Sequence, residues 1–140
     1  MKGNTYAPNQ DNIKKEWHFI DATDQTLGRL ASKVAHIIIG KNKVEYSPNS
    51  LVNDSVVVTN TSKIVVTGKK DTDKIYIKHT GFPKGLREIT YSKMKEKDPT
   101  KALRLAVYGM LPHNKLRAKR IKCLHIYSGE DHPHKAQIAK

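Results

Sequence analysis

The chain of 140 residues has one cysteine, Cys123, and one tryptophan, Trp17. A single cysteine excludes an intrachain disulfide, and with it the stapled frameworks of small secreted domains. No apolar run approaches the ~20 residues that span a bilayer, so no membrane partner is expected. The first residues, MKGNTYAPNQDNIKKEW, contain no hydrophobic signal region, and secretion is not expected. A reducing cytoplasm fits these absences, and the sequons at Asn53 and Asn60 then carry no sugar. One further deficit concerns charge: no Asp or Glu occurs from residue 100 to residue 128.

What is present is mostly positive. Lys and Arg number 26 against 13 acids, for a formal net charge of +13 and a sequence pI near 9.8. Such an excess repels itself in a compact state and calls for an anionic partner. Nucleic acid is the commonest one with dense charge. The apolar fraction of 37% supports one compact core in one domain. The charge is concentrated in residues 107–129, VYGMLPHNKLRAKRIKCLHIYSG. Within eight residues of it stand Lys115, Arg117, Lys119, Arg120 and Lys122. Solubility alone would intersperse both signs. A single-sign block beside an apolar segment suits a polyanion held against a rigid core.

Read in order, residues 1–15 form a polar N-terminal arm, residues 16–129 a single α/β domain, and residues 130–140 a C-terminal tail without a core-forming pattern. Trp17, Phe19 and Ile20 predict a short strand ending at Asp21, with Trp17 as a core or edge anchor. Leu27, Leu30, Ala31, Val34 and Ile38 repeat at helical spacing. Asp24 or Thr26 is placed to cap that helix, and Gly40 to stop it. Lys41 and Lys43 follow, suited to the helix C-terminus or to phosphate contact. Val56, Val57 and Val58 predict a strand buried on both faces. Ile64, Val65 and Val66 predict another, followed by a charged turn with Lys69 and Lys70. Ile75 to Ile77 predict a third extended segment, and residues 79–85 a Gly-rich loop. A short helix ends at Asp98, and Pro99 suits the first turn of the next. That second helix, through Leu111, should be the most buried, with Arg104 partnered by a carboxylate inside the protein or a phosphate outside it. Leu116 to Arg120 predict a short basic helix, and Leu124 to Ile126 a last strand. Strands alternating with helices give the α/β class.

The residues also carry a resemblance. Trp17 to Asp21 leads into ATDQTLGRLA, and GKNK is followed by YSP. VTGKK, His79-Thr80-Gly81, Gly109-Met110-Leu111-Pro112, the basic run, Tyr127-Ser128-Gly129 and His132-Pro133-His134 complete the series. In this order and spacing, over about residues 16–137, the chain resembles the bacterial form of the thirteenth protein of the large ribosomal subunit. The resemblance implies a three-layer α/β/α sandwich around a small, mainly parallel four-stranded sheet. It implies a non-enzymatic protein without cofactor that binds large-subunit ribosomal RNA directly and joins early in assembly. Neighbouring large-subunit proteins would be its other partners, with room for a regulatory role on messenger RNA and none for a small-molecule substrate. Three positions depart from the family pattern. Asn53 stands where glycine is usual before Asp54, Asn114 and Arg117 replace two glycines beside the basic run, and Lys78 replaces a histidine before His79.

Phosphate neutralisation by Lys and Arg is the expected basis of binding. The candidate RNA-binding residues are Lys41, Lys43, Lys69, Lys70, His79, Lys84, Arg87, Lys115, Arg117, Lys119, Arg120 and Lys122. Arg87, Arg117 and Arg120 suit shaped, bidentate contacts, and the lysines act as point charges. Charge reversal at Arg117 and Arg120 should then weaken binding without unfolding. Tyr46 or Phe82 could stack on a splayed base, with burial in the core the commoner fate of such rings. The competing enzyme reading rests on His132 and His134 beside Glu130 and Asp131. Metal sites need three or four ligands with a supporting shell, and no further ligand has matching spacing. The loop from Gly81 to Gly85 lacks the Gly-Lys-Ser/Thr of a phosphate loop.

Overall fold

A computed structural model describes residues 13–52 and 54–138. The elements run β1 (Trp17–Asp21), α1 (Leu27–Ile39), β2 (Ser55–Thr59), α2 (Lys70–Asp73), β3 (Ile75–His79), β4 (Leu86–Thr90), α3 (Tyr91–Lys97), α4 (Pro99–Met110), α5 (Arg117–Arg120), β5 (Leu124–Ile126) and α6 (Lys135–Ile138). Residues 1–12 of the expected arm and Asn53 lie outside the described residues.

The central sheet has three strands in the order β1-β2-β5, all parallel. β3 and β4 form a separate antiparallel ribbon. The four-stranded sheet is thus corrected to a sheet of three and a ribbon of two. The expected strand over Ile64 to Val66 does not form. Asn60 takes a left-handed conformation, φ 58°, and ends β2 in a 3-10 turn, Thr61–Lys63. The backbone N–H groups of Asn60, Thr61 and Ser62 donate across the end of β5 to Gly129, Tyr127 and Ser128. What remains is one bridge between Val65 and Thr26. Ile64 is buried and Val65 exposed.

β2 is the central strand, and its three valines are fully buried, as a middle parallel strand requires. Register divides the sheet into two faces. Ile20, Val56, Val58 and Leu124 enter the main core with α1, α3 and α4. Trp17, Phe19, Val57 and His125 point the other way. That second face is covered by the C-terminal tail. The ring of His134 lies 5.0 Å from Trp17 and 4.6 Å from His125, and His132 lies 5.7 Å from Phe19. Histidines take part in this cover, which the hydrophobic pattern could not show. The expected three layers reduce to helices on one face and a tail ending in the one-turn α6 on the other.

α1 is the most buried helix, with seven buried residues against three in α4. This corrects the expectation for α4. α4 packs on α1 from outside, leaving Leu105, Tyr108 and Met110 exposed. Arg104 is exposed as well. Gly40 closes α1 at φ 86°, and a Cβ there would overlap the Val52 side chain. Neither Asp24 nor Thr26 caps the other end. The N–H of Leu27 donates to the Val65 carbonyl instead. Asp98 caps α4 ahead of Pro99, accepting from the Thr100 N–H at 3.0 Å and its hydroxyl at 2.6 Å. These bonds hold the Asp98 carboxyl below its ordinary pKa.

Candidate nucleic-acid interface

The basic run begins where α4 ends. The N–H of Leu111 donates to Val107, and Pro112 leads the chain out of the helix. Asn114 then builds the turn with its side chain. Its Oδ1 accepts the Leu116 N–H at 3.1 Å, and its carbonyl accepts the Arg117 N–H. This local bond is what asparagine supplies in turns. The left-handed non-glycine residues are Asp24, Asn60 and Lys84, so neither Asn114 nor Arg117 occupies a conformation that needs glycine.

The two arginines of α5 have different fates. Arg117 lies against Tyr108, its guanidinium carbon 3.6 Å from the ring centroid. Its Nε donates to the Tyr108 carbonyl at 2.9 Å, a second nitrogen donates to the same oxygen, and Nη1 lies 3.3 Å from His113 Nδ1. The fork is fixed on the surface by stacking and hydrogen bonds, which limits the entropy lost on binding a phosphate. Arg120 is 3% exposed. Its Nη2 donates to Ser50 O at 3.1 Å and reaches Pro48 O at 3.4 Å. It ties α5 to the loop after α1, and its charge does not face outward. The expected charge reversal without unfolding is corrected at this residue: a glutamate would place a carboxylate against two carbonyl oxygens in the interior. Lys115, Lys119 and Lys122 are exposed.

The loop after α1 divides in the same way. Lys41 is exposed. Lys43 turns inward, its Nζ 2.7 Å from Oδ1 of the fully buried Asp54 and 3.7 Å from Glu16. The same Asp54 oxygen accepts the Glu16 N–H, while Oδ2 lies 3.4 Å from His18 Nε2. Glu16, His18 and Asp54 are close enough together to hold a metal ion. The Lys43 ammonium already supplies a cation there, so the group reads as a buried ion-pair network. Neither expected role of Lys43, at the helix C-terminus or on a phosphate, matches this geometry: its ammonium holds the loop through Asp54.

A third set of side chains surrounds the ribbon. The cations Lys69, Lys70, Lys84 and Arg87, and His79 beside them, are all exposed. His79 Nδ1 accepts the Gly81 N–H at 2.9 Å, which shapes the tip. Gly85 is buried in the turn, where a Cβ would strike Thr80 and the Phe82 carbonyl. Phe82 is 73% exposed at this tip, contrary to burial, and is free to stack. Tyr46 packs partly buried against the core. Lys78, a departure from the family's histidine, is not in the expected RNA-binding set. The register sets it directly opposite Arg87, and like charges so placed destabilise a ribbon unless an anion lies between them. The glycines of the 79–85 loop were the signal that could have revealed this pairing. Tyr108, nine residues before Arg117, had no such signal.

Among the described residues, the lysines within 4.0 Å of a carboxylate are Lys43 and Lys135. The cations of residues 115–122 and of the ribbon have no carboxylate of the described residues at that distance. An array of such cations on fixed backbone has the electrostatic character that suits a polyanion.

The profile of a family described as Ribosomal protein L13 matches residues 15–133. A protein of Pelobacter propionicus named large ribosomal subunit protein uL13 is 48% identical over 130 residues, 93% of this chain and 92% of its own length. Those of Syntrophus aciditrophicus and Symbiobacterium thermophilum, with the same name, are 47% and 46% identical. They cover 97% and 95% of this chain and 96% and 93% of their own. The chain belongs to the ribosomal protein L13 family.

Proposed function

We propose that the chain is a structural component of the large ribosomal subunit in the cytoplasm, binding 23S-type ribosomal RNA directly and supporting early assembly of the subunit. Its role is to hold RNA, without a reaction of its own. The observation that carries this reading is the set of surface cations with no carboxylate beside them, above all Lys78 facing Arg87 across the ribbon. Each such cation releases condensed counterions when it meets a phosphate. Arg117, already stacked on Tyr108, supplies a directional contact. Lys41, Lys69, Lys70, Lys84, Lys115, Lys119 and Lys122 supply point charges. Phe82 offers a face to an unpaired base. Arg120 and Lys43 act one step behind the surface by fixing the loop after α1. Specificity then lies in shape, because RNA junctions present phosphates in one arrangement and the bound backbone cannot easily follow another.

The test is binding of the full chain to large-subunit RNA as a function of salt. The expected result is an affinity that falls steeply with salt, with the log–log slope reduced by about 0.7–0.9 for each phosphate contact removed. Exchanging Lys115, Lys119 and Lys122 for Gln should lower that slope and leave the thermal midpoint unchanged. An unaltered affinity and slope in a folded triple variant would overturn the assignment of this run to RNA.

A further inference from the structure

The ribbon has a second side on which no strand position holds a Lys or Arg. Register places Tyr76 with Ile89 and Lys78 with Arg87 on one face, and Ile75 with Thr90, Ile77 with Glu88 and His79 with Leu86 on the other. Tyr76 and Ile89 pack against the main core, so the second face is turned away from the body. Ile75, Ile77 and Leu86 on it are 50%, 65% and 56% exposed. Three large aliphatic side chains left in water on a two-stranded ribbon, itself marginal alone, mark a surface that is covered in use.

We propose that this face docks a second protein of the large subunit, through an aliphatic patch bearing a Lys or Arg opposite Glu88. The proposal rests on the ribosomal reading above. The chemistry selects among occupants. RNA is disfavoured because the strand positions of this face hold no Lys or Arg, carry the acid Glu88, and offer branched aliphatic groups where RNA sites use cations and flat rings. The cations of the ribbon stand on its reverse, at Lys78 and Arg87. A second copy of this chain is disfavoured because a two-fold interface is self-complementary. It would bring the two Glu88 carboxylates into one apolar patch, where like charges are costly. A cationic protein satisfies both features, and proteins gathered on one RNA are cationic for the same reason as this one. The ribbon would then lie between RNA and protein, each side matched to one of them.

The experiment places a photoreactive benzophenone amino acid at position 77 or, separately, at position 78 of the full chain. Large subunits carrying each variant are isolated by gradient sedimentation and irradiated. From position 77 the expected adduct is with another large-subunit protein, on a peptide with aliphatic residues beside a Lys or Arg. From position 78 it is with ribosomal RNA. Glu88→Lys should lower the yield at position 77 several-fold and leave that at position 78 unchanged, and Leu86 serves as a second attachment site. An RNA adduct at 77, an adduct with a second copy, or no adduct at 77 and 86 while 78 reacts would each overturn the proposal. Absence of the unmodified chain from the large-subunit peak would overturn the ribosomal reading, and this proposal with it.

Discussion

The central sheet and the β3–β4 ribbon draw on the same β-branched residues and place them in opposite surroundings. Val56, Val57 and Val58 of β2 lose all contact with water, while Ile75 and Ile77 of β3 remain at least half exposed. The difference lies in what each strand is joined to. β2 has a parallel neighbour on both sides, with helices over one face and the tail over the other. Of the paired hydrophobic residues of the ribbon, Tyr76 and Ile89 pack against the core. Parallel strands need crossover segments, and those segments bury the sheet. A hairpin closes on its own turn and can project. The sheet therefore carries stability, and the ribbon is left to carry contacts.

Several substitutions would sharpen or break this contrast. The largest effect is expected at Val57→Asp, which puts an unpaired carboxylate at the centre of the sheet and should cost more than about 4 kcal/mol, against about 0.5 kcal/mol for Ile77→Asp. Urea denaturation reads both, and equal losses would erase the distinction. Asp54→Ala comes next. It strands the Lys43 ammonium, whose side chain is 11% exposed, and breaking such a pair costs about 3–5 kcal/mol. A change within error would show that Lys43 swings out to water at no cost.

Arg120→Ala is expected to lower stability by about 2–3 kcal/mol, because the carbonyls of Pro48 and Ser50 lose their donor. Arg117→Ala should stay within about 1 kcal/mol and instead weaken RNA binding. Paired denaturation and binding measurements test this, and the reverse pattern would exchange the roles given to the two arginines. The smallest effect concerns pH and the tail-covered face of the sheet. Burial lowers the His125 pKa below its usual value of 6.5, with His134 and Arg104 acting in the same direction. Because the folded value is the lower one, the unfolded chain takes up the proton first. Stability is then complete above pH 6.5 and declines as pH falls below it through the folded value. The thermal midpoint should be lower at pH 5.5 than at pH 7.5, by less in His125→Phe. An equal slope in that variant would remove His125 as the cause.

Much of the fold was legible in the chain. The spacing of Leu27, Leu30, Ala31, Val34 and Ile38 with Gly40 beyond them gave α1, and the valine triplet gave β2. Asp98-Pro99 gave the junction of α3 and α4. Ile64 to Val66 misled because a β-branched triplet has the same local preference whether or not a partner strand is available. Here the left-handed turn at Asn60 carried the chain away from the sheet. Arg120 misled for a related reason. Its neighbours Lys119 and Lys122 are exposed, and the carbonyls that receive it lie some 70 residues earlier. His132 and His134 could not be read as a cover for Trp17 and Phe19, because tail and β1 meet only in three dimensions.

The sequence by itself determined the charge, the residue block in which that charge is unrelieved by acids, and the order of the main elements. Charge and helical periodicity are properties of neighbours along the chain, so they can be counted without knowing the fold. Tertiary structure decided which cations face outward. A guanidinium or ammonium turns inward only where a buried carboxylate or carbonyl waits for it, as Asp54 does for Lys43 and Ser50 for Arg120. Those acceptors are brought into place by packing of the loop after α1 against β2 and α5. The turn from α4 into α5 leaves Arg117 on Tyr108, and the pairing of β3 with β4 leaves Lys78 opposite Arg87, at the surface.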